Sequence, residues 1–303
     1  MEICGKRIRT SGRLIRTASL DVEGYEFLDD PEEALGRLRS SGARVDLFTF
    51  IQKLSDPSPK YGYPMEWDNL AVLPVSNFDA WMKHQIDFKT RNKVRKAEKS
   101  GVVVREVSLD EGFLRGITAI YNESPVRQGK PFWHYGKDVE AVRKMMGAFL
   151  NRTTFVGAFY QDVLIGFVQL VTDEAGVQAG LMQIVSMLQH RDKAPTNALI
   201  AQAVRSCAER KIAYLWYANF SYGKKQQDSL ADFKRHNGFQ KVDVPRYYVP
   251  LTLAGRMALR LGLQHGVSDQ IPESVASRYR KIRSFWYARK SFGMEGAQET
   301  GRR

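Results

Sequence analysis

The residues of this 303-residue chain best suited to chemistry crowd between positions 181 and 239. An apolar run of strand length, residues 181–188 (LMQIVSML), leads into a loop, residues 189–197 (QHRDKAPTN), that carries Arg191 and Lys193. Pro195 then suits the first turn of a helix, where its missing N–H is tolerated. A buried strand feeding a basic loop and a helix N-terminus makes an anion site, because the free N–H groups and the positive end of the dipole face the same point. Pyrophosphate is the usual guest of such a site. The loop has no glycine, so it is neither a P-loop nor a dinucleotide fingerprint. Elsewhere, His134 sits in an aromatic loop, residues 125–137 (PVRQGKPFWHYGK), and an imidazole titrating near ~6.5 could act as a general base or simply hydrogen-bond within the loop. No Ser-His-Asp set, zinc spacing or paired carboxylates stand out, which disfavours hydrolase and metalloenzyme chemistry, and no metal is expected.

The elements that must position these residues follow from periodicity. Residues 198–211 read as a helix with Leu199, Ala203, Val204 and Ala208 on one face. Residues 212–220 (IAYLWYANF) read as an aromatic strand, and residues 229–237 as a short helix ended by Gly238 and followed by Phe239. Upstream, residues 155–160 and 163–172 are two strands joined by a turn at Gln161-Asp162, with Gly157 and Gly166 marking bulges or close backbone approach. Antiparallel strands followed by strand–helix–strand imply a mixed sheet.

This order resembles the acyl-donor half of the GNAT (N-acetyltransferase) superfamily. The resemblance rests on the strand, loop and helix of residues 181–211, the Asn219 that ends the next strand, and the Gly238-Phe239 pair after the following helix. Lys234 stands where many acetyltransferases carry Tyr, and the pair Phe233-Lys234 is similar to the Fem-type aminoacyl transferases, which use the same fold with charged tRNA as donor. The resemblance implies that Arg191, Lys193, Thr196 and Asn197 hold the donor's phosphates, that backbone N–H groups near Val185, Ser186 and Leu188 steady an oxyanion, and that Asn219 borders the donor. It implies that Lys234 steadies negative charge or protonates the leaving group, with Tyr222 and His134 as alternative proton carriers. Acyl-CoA is the co-substrate it suggests first.

Residues 1–100 read as a smaller, partial α/β unit. Residues 13–18 are expected as a strand, Asp30-Pro31-Glu32-Glu33 as a strong helix start, and residues 45–54 and 67–75 as strands. The proline- and tyrosine-rich loop 56–64 (DPSPKYGYP) could line an acceptor pocket or cover a core edge. Residues 78–101 read as one long helix, with Phe78, Met82, Ile86, Val94 and Ala97 as its apolar stripe and Gly101 as its stop. Residues 91–102 also resemble the linker into the second domain of Fem-type proteins, which places a boundary near 100. A GNAT-like α/β domain follows over 101–252: a strand at 102–107, helices at 110–124 and 138–150, the stretch above, and a last strand at 241–251 whose Pro245 and Pro250 imply an edge or a bulge. Residues 253–303 read as a basic helical tail.

Apolar residues make up 43% of the chain, enough for a sizeable core, and no run approaches the ~18 apolar residues of a membrane span. Cys4 and Cys207 form no metal motif or disulfide framework, which points to a reducing cytoplasm. The net charge of +13 favours anionic partners. An anionic membrane face, at the inner side, or tRNA could meet the basic runs from Lys89 to Lys99 and from Arg278 to Lys290. The leading expectation is an N-acyltransferase moving an acyl group from an acyl-CoA-type thioester to an amine, on a small molecule or glycan such as an amino sugar in envelope or polysaccharide synthesis. The alternatives are a Fem-like transferase using aminoacyl-tRNA, and a non-enzymatic RNA- or membrane-binding protein with a degenerate acyltransferase core.

Overall fold

A computed structural model describes residues 1–221 and 229–265; Tyr222 and the basic run from Arg278 to Lys290 lie outside them. The strands are β1 (Glu2–Ile3), β2 (Lys6–Ser11), β3 (Thr17–Leu20), β4 (Leu47–Ile51), β5 (Met65–Pro74), β6 (Val103–Val107), β7 (Val126–Arg127), β8 (Lys130–Pro131), β9 (Thr153–Tyr160), β10 (Val163–Thr172), β11 (Gln178–Ser186), β12 (Tyr214–Asn219) and β13 (Gln240–Pro250). The helices are α1 (Pro31–Ser40), α2 (Phe78–Ala80), α3 (Phe88–Lys99), α4 (Glu111–Asn122), α5 (Val139–Met146), α6 (Pro195–Glu209), α7 (Ser229–His236) and α8 (Leu253–Arg260). Eleven of the described strands form one mixed sheet in the order β1-β2-β3-β4-β13-β5-β12-β11-β10-β9-β6, so it is continuous across residue 100.

Helix starts follow the capping chemistry in the sequence. Asp30 accepts the N–H groups of Glu32 and Glu33 at 2.9 and 3.1 Å, and Asp110 and Asp138 cap α4 and α5 in the same way. Three expectations are corrected. The strand expected over residues 13–18 is β3, Thr17–Leu20, and a hairpin, β1 and β2, precedes it. Strand β2 is polar except for Ile8, its only buried residue, so no alternation betrays the strand. The single helix over 78–101 is broken. A π-helical turn, Trp81–Gln85, follows α2, Ile86 is extended, and Asp87 restarts the helix by accepting the Thr90 N–H at 2.6 Å. The wider turn drives Trp81 into the core, where its indole donates to the Asn237 carbonyl at 3.0 Å. Gly101, at φ +81°, ends α3. Finally, β13 lies inside the sheet rather than at an edge. Its prolines are tolerated because Pro245 pairs only with β5 and Pro250 only with β4, so each has one ladder to satisfy.

The sheet is covered on both faces around β10. Phe167 meets Phe113 and Tyr121 of α4, whereas the next residue back, Gly166, leaves room on the opposite face for Leu199 of α6. Between β11 and β12 the sheet opens. They pair in parallel over Gln178↔Tyr214, Ala179↔Leu215 and Gly180↔Trp216, and then run on without pairing to each other. Trp216 wedges the branch point: a Cβ on Gly180 would sit 2.6 Å from the Trp216 and Tyr25 rings. Gly180→Ala is therefore expected to destabilise the fold by about 1–3 kcal/mol, read by urea unfolding, through forced displacement of packed rings. An unchanged midpoint would show that the wedge is loose. Beyond the branch, β12 slips register against β5 between Trp216 and Asn219, with Ala218 at φ +47°, which turns the end of the strand into the gap.

Candidate active site

The gap between β11 and β12 is bordered by backbone groups that the ladder leaves over. The Met187 N–H donates to Ile165 at 2.8 Å, which makes Ser186↔Gly166 a non-hydrogen-bonded pair of the β10–β11 ladder. Ser186 therefore turns its N–H and C=O away from β10, towards the gap, while Val185 turns its own to β10. Of the N–H groups expected to steady an oxyanion, Ser186 is the one aimed into the opening. Its hydroxyl is 2.7 Å from that of Thr196 at the start of α6.

The Leu188 N–H is committed elsewhere. It donates to the Glu123 carboxylate at 2.7 Å, and the Gln189 N–H donates to the other oxygen at 2.9 Å. Glu123 is in turn paired with Arg127 at 2.9 Å, both side chains less than a fifth exposed. The Arg127 guanidinium also donates to the carbonyls of Ser186 and Ile120 at 2.7 and 2.9 Å and lies 4.7 Å from the centre of the Phe132 ring. Burial lowers its pKa, and the Glu123 charge opposes that shift. An internal carboxylate thus occupies the N–H groups that begin the loop, where a bound anion was expected. The N–H groups of Arg191, Lys193 and Ala194 go to carbonyls within the loop. Neither Glu123 nor its tie to the loop was legible in the sequence; the only signal was an acid and an arginine four residues apart after a helix.

The other expected donor contacts are divided. Arg191 is exposed at the turn before α6, and Lys193 is held by Asp192 at 3.2 Å and lies 4.9 Å from the Tyr160 ring centre. Asn197 is buried, with its amide donating to the Asn237 side chain at 3.1 Å, so it ties α6 to the end of α7 and is turned from the loop. Lys96 of α3 lies close enough to Asp192 to help hold that carboxyl below its usual range, after the larger contribution of Lys193. The basic face of α3 is therefore contiguous with the Arg191–Lys193 turn.

Lys234 and Asn219 come together at the end of β12. Lys234 is fully buried, its ammonium donates to the Asn219 carbonyl, and it sits 4.7 Å from the Tyr217 ring centre. His134 is not part of this group. It stacks on Tyr121 with ring centres 4.3 Å apart, and its Nδ1 is buried with no partner among the described residues. Burial, then the charges of Lys137 and Arg127, push its pKa down to about 4. It is neutral at pH 7 and a weak base. Because the folded pKa lies below the unfolded value of ~6.5, the unfolded chain binds the extra proton, and stability falls as pH drops through ~6.5 to about 4. His134→Phe, which keeps the stacking, is expected to remove a loss on the order of 2 kcal/mol over that window in a pH series of urea melts. An identical acid slope in the variant would remove His134 as its cause.

Solved structures share this architecture. FemX superposes with a TM-score of 0.60 over 84% of this chain and 86% of that chain, at 12% identity. The fold is similar to that of FemX. The C-terminal domain of a putative lysylphosphatidylglycerol synthetase from Agrobacterium fabrum gives 0.55 over 84% of each chain at 12% identity. L-PGS from Bacillus licheniformis gives 0.54 over 84% of this chain and 85% of that chain, at 13% identity. No protein-family model and no curated protein sequence matches. At these identities the likeness is one of fold. No helix among the described residues is long and apolar enough to cross a membrane.

Proposed function

We propose that this chain is an N-acyltransferase that takes its acyl group from an aminoacyl ester on a polyanionic carrier of the tRNA type and transfers it to an amine, of an amino sugar or amino acid, in envelope or polysaccharide synthesis on the cytoplasmic side. The observation that carries the donor class is the Glu123 carboxylate seated on the Leu188 and Gln189 N–H groups. A pyrophosphate would have to displace a carboxylate that is also paired with Arg127. The exposed cations of α3, beside the Arg191–Lys193 turn, suit a longer phosphate backbone instead. The Fem-type resemblance and the fold shared with FemX, with a domain of a putative lysylphosphatidylglycerol synthetase and with L-PGS support the same reading.

In this mechanism the donor carbonyl lies along the open side of β11. The neutral amine attacks the carbonyl carbon, forming the C–N bond, and the oxyanion takes the Ser186 N–H. Collapse breaks the C–O bond of the ester. Lys234 gives a proton to the departing oxygen and regains one from the new ammonium, so charge and protons balance. Much of the acceleration comes from holding the two substrates together.

Filter binding and calorimetry test the donor. Aminoacyl-tRNA is expected to bind with a steep salt dependence and to lose affinity in Lys93→Ala and Lys96→Ala, while acetyl-CoA and free CoA show no saturable binding below the millimolar range. Tight acyl-CoA binding that weakens in Arg191→Ala and Lys193→Ala would overturn this in favour of a thioester donor. RNA binding with no transfer under any condition would favour a binding module.

A further inference from the structure

A cavity opens on the β5–β13 side of the sheet. It has a volume of about 660 Å³ and is lined by Pro57, Pro59, Trp67, Asn69, Lys241 and Asp243 among others. That size is within the ~300–1,000 Å³ of ligand sites. Its floor is one face of the β5–β13 pair. Asp243 lies opposite Asn69, Lys241 opposite Ala71 and Pro245 opposite Trp67, so Trp67, Asn69, Lys241 and Asp243 share a face. On the same face, Ala71 and Leu73 are buried in the core that also holds Phe239 and Ala231, so the cavity begins where the covering by α7 stops.

Its wall is held in place. The loop carbonyls of Asp56 and Ser58 accept from Gln52 Nε2 at 2.7 and 2.9 Å, and the Tyr247 hydroxyl accepts the Lys60 N–H at 2.8 Å. The cavity is also tied to the gap in the sheet. Asn69 Oδ1 accepts the Ser221 N–H at 2.8 Å, and the Asn69 carbonyl accepts the Phe220 N–H at 2.9 Å. Ser221 is two residues beyond Asn219, whose carbonyl holds the Lys234 ammonium. An acceptor in this cavity would thus lie across the end of β12 from a donor on β11.

The lining indicates the class of acceptor. Trp67 is 52% exposed, a large apolar face left open beside hydrogen-bonding groups. Asp243 and Lys241 form an exposed ion pair at 2.9 Å, with Asn69 between them and the gap. An indole face flanked by a carboxylate, an ammonium and an amide matches a pyranose ring, whose C–H face stacks on the aromatic while its hydroxyls meet the polar groups. The carboxylate adds a partner for a protonated amine. We infer that this cavity is the acceptor site and that it takes an amino sugar, with Trp67 as the stacking platform and Asp243 as the amine's partner. The inference rests on the transferase reading for its role, though the binding itself is measurable alone.

The test is saturation-transfer NMR and calorimetry of the full chain with glucosamine, galactosamine and N-acetylglucosamine, and with lysine as a non-sugar amine. The free amino sugars are expected to bind at least about tenfold better than the acetylated one. Trp67→Ala is expected to weaken all sugars about tenfold or more, and Asp243→Asn to erase the preference for the free amine, with unfolding midpoints near wild type because both side chains are exposed. No sugar binding at tens of millimolar, equal binding by Trp67→Ala, or binding of lysine alone would each overturn the inference. Sugar binding without acyl transfer would leave the cavity standing and sink the proposed function. Transfer whose acceptor KM ignores Trp67→Ala would do the opposite.

Discussion

Lys234→Met should abolish transfer by about 10²–10⁴-fold while leaving the fold intact, because a positioned proton donor is worth that much in a group-transfer step. Lys234 is fully buried on α7, with its ammonium on the Asn219 carbonyl. Methionine matches the length and apolar stem of lysine and removes only the charged head, so the packing against Tyr217 of β12 has no new cavity to fill. An ammonium taken from water into the interior carries a desolvation penalty, and its removal leaves stability level or raised. Single-turnover transfer and urea unfolding separate the two effects. A variant that transfers at the wild-type rate removes Lys234 from the chemistry. One that fails because its unfolding midpoint collapses makes the lysine structural.

The second large effect belongs to Glu123→Ala, expected to destabilise the fold by about 3 kcal/mol, the lower end of the range for breaking a largely buried pair. Arg127 would keep its bonds to the Ser186 and Ile120 carbonyls but lose its carboxylate partner. The Leu188 and Gln189 N–H groups would lose their acceptor at the same time. Those donors then become available, so inorganic pyrophosphate is expected to bind the variant at least about tenfold more tightly than wild type. Calorimetry reads the gain and urea unfolding the loss. Wild-type protein that already binds pyrophosphate as tightly as Glu123→Ala would show that the internal carboxylate is no barrier, and the acyl-CoA donor would lead again.

The two results bear on one question, whether the loop after β11 is an anion site waiting for a ligand or one already filled. The amino-acid order cannot answer it. A basic loop between strand and helix has the same sequence pattern whether its N–H groups face solvent, a phosphate or a carboxylate from a different helix. Glu123 is 65 positions from Leu188, and only the packing of α4 against β10 brings them together.

Much of the architecture was legible from local chemistry. The caps Asp30, Asp110 and Asp138 mark helix starts because a short side-chain acceptor before an apolar period has one dominant use. The meander of β9 and β10 followed by β11, α6 and β12 was readable because these strands are mostly apolar and the turns between them are polar. Lys234 and Asn219, to which the family resemblance points, are in contact. What failed locally failed for stated reasons. The stripe of Phe78, Met82, Ile86 and Val94 continues across a broken helix because the π turn and the Asp87 cap reset the helix without changing which side faces the core. The β1–β2 hairpin is polar and nearly uncovered, so its residues carry no period.

The order of elements, the helix starts and the strand–loop–helix with its basic turn were readable because each depends on residues close in the chain. Long-range packing alone sets which N–H of β11 faces the opening, that Glu123 fills the loop, that Asn197 and His134 are turned into the interior, and that β5, β13 and the proline loop line a cavity. Those features join residues of separate elements, up to nearly 190 positions apart. Such contacts arise from sheet register and face, which a strand acquires from its neighbours and not from its own residues.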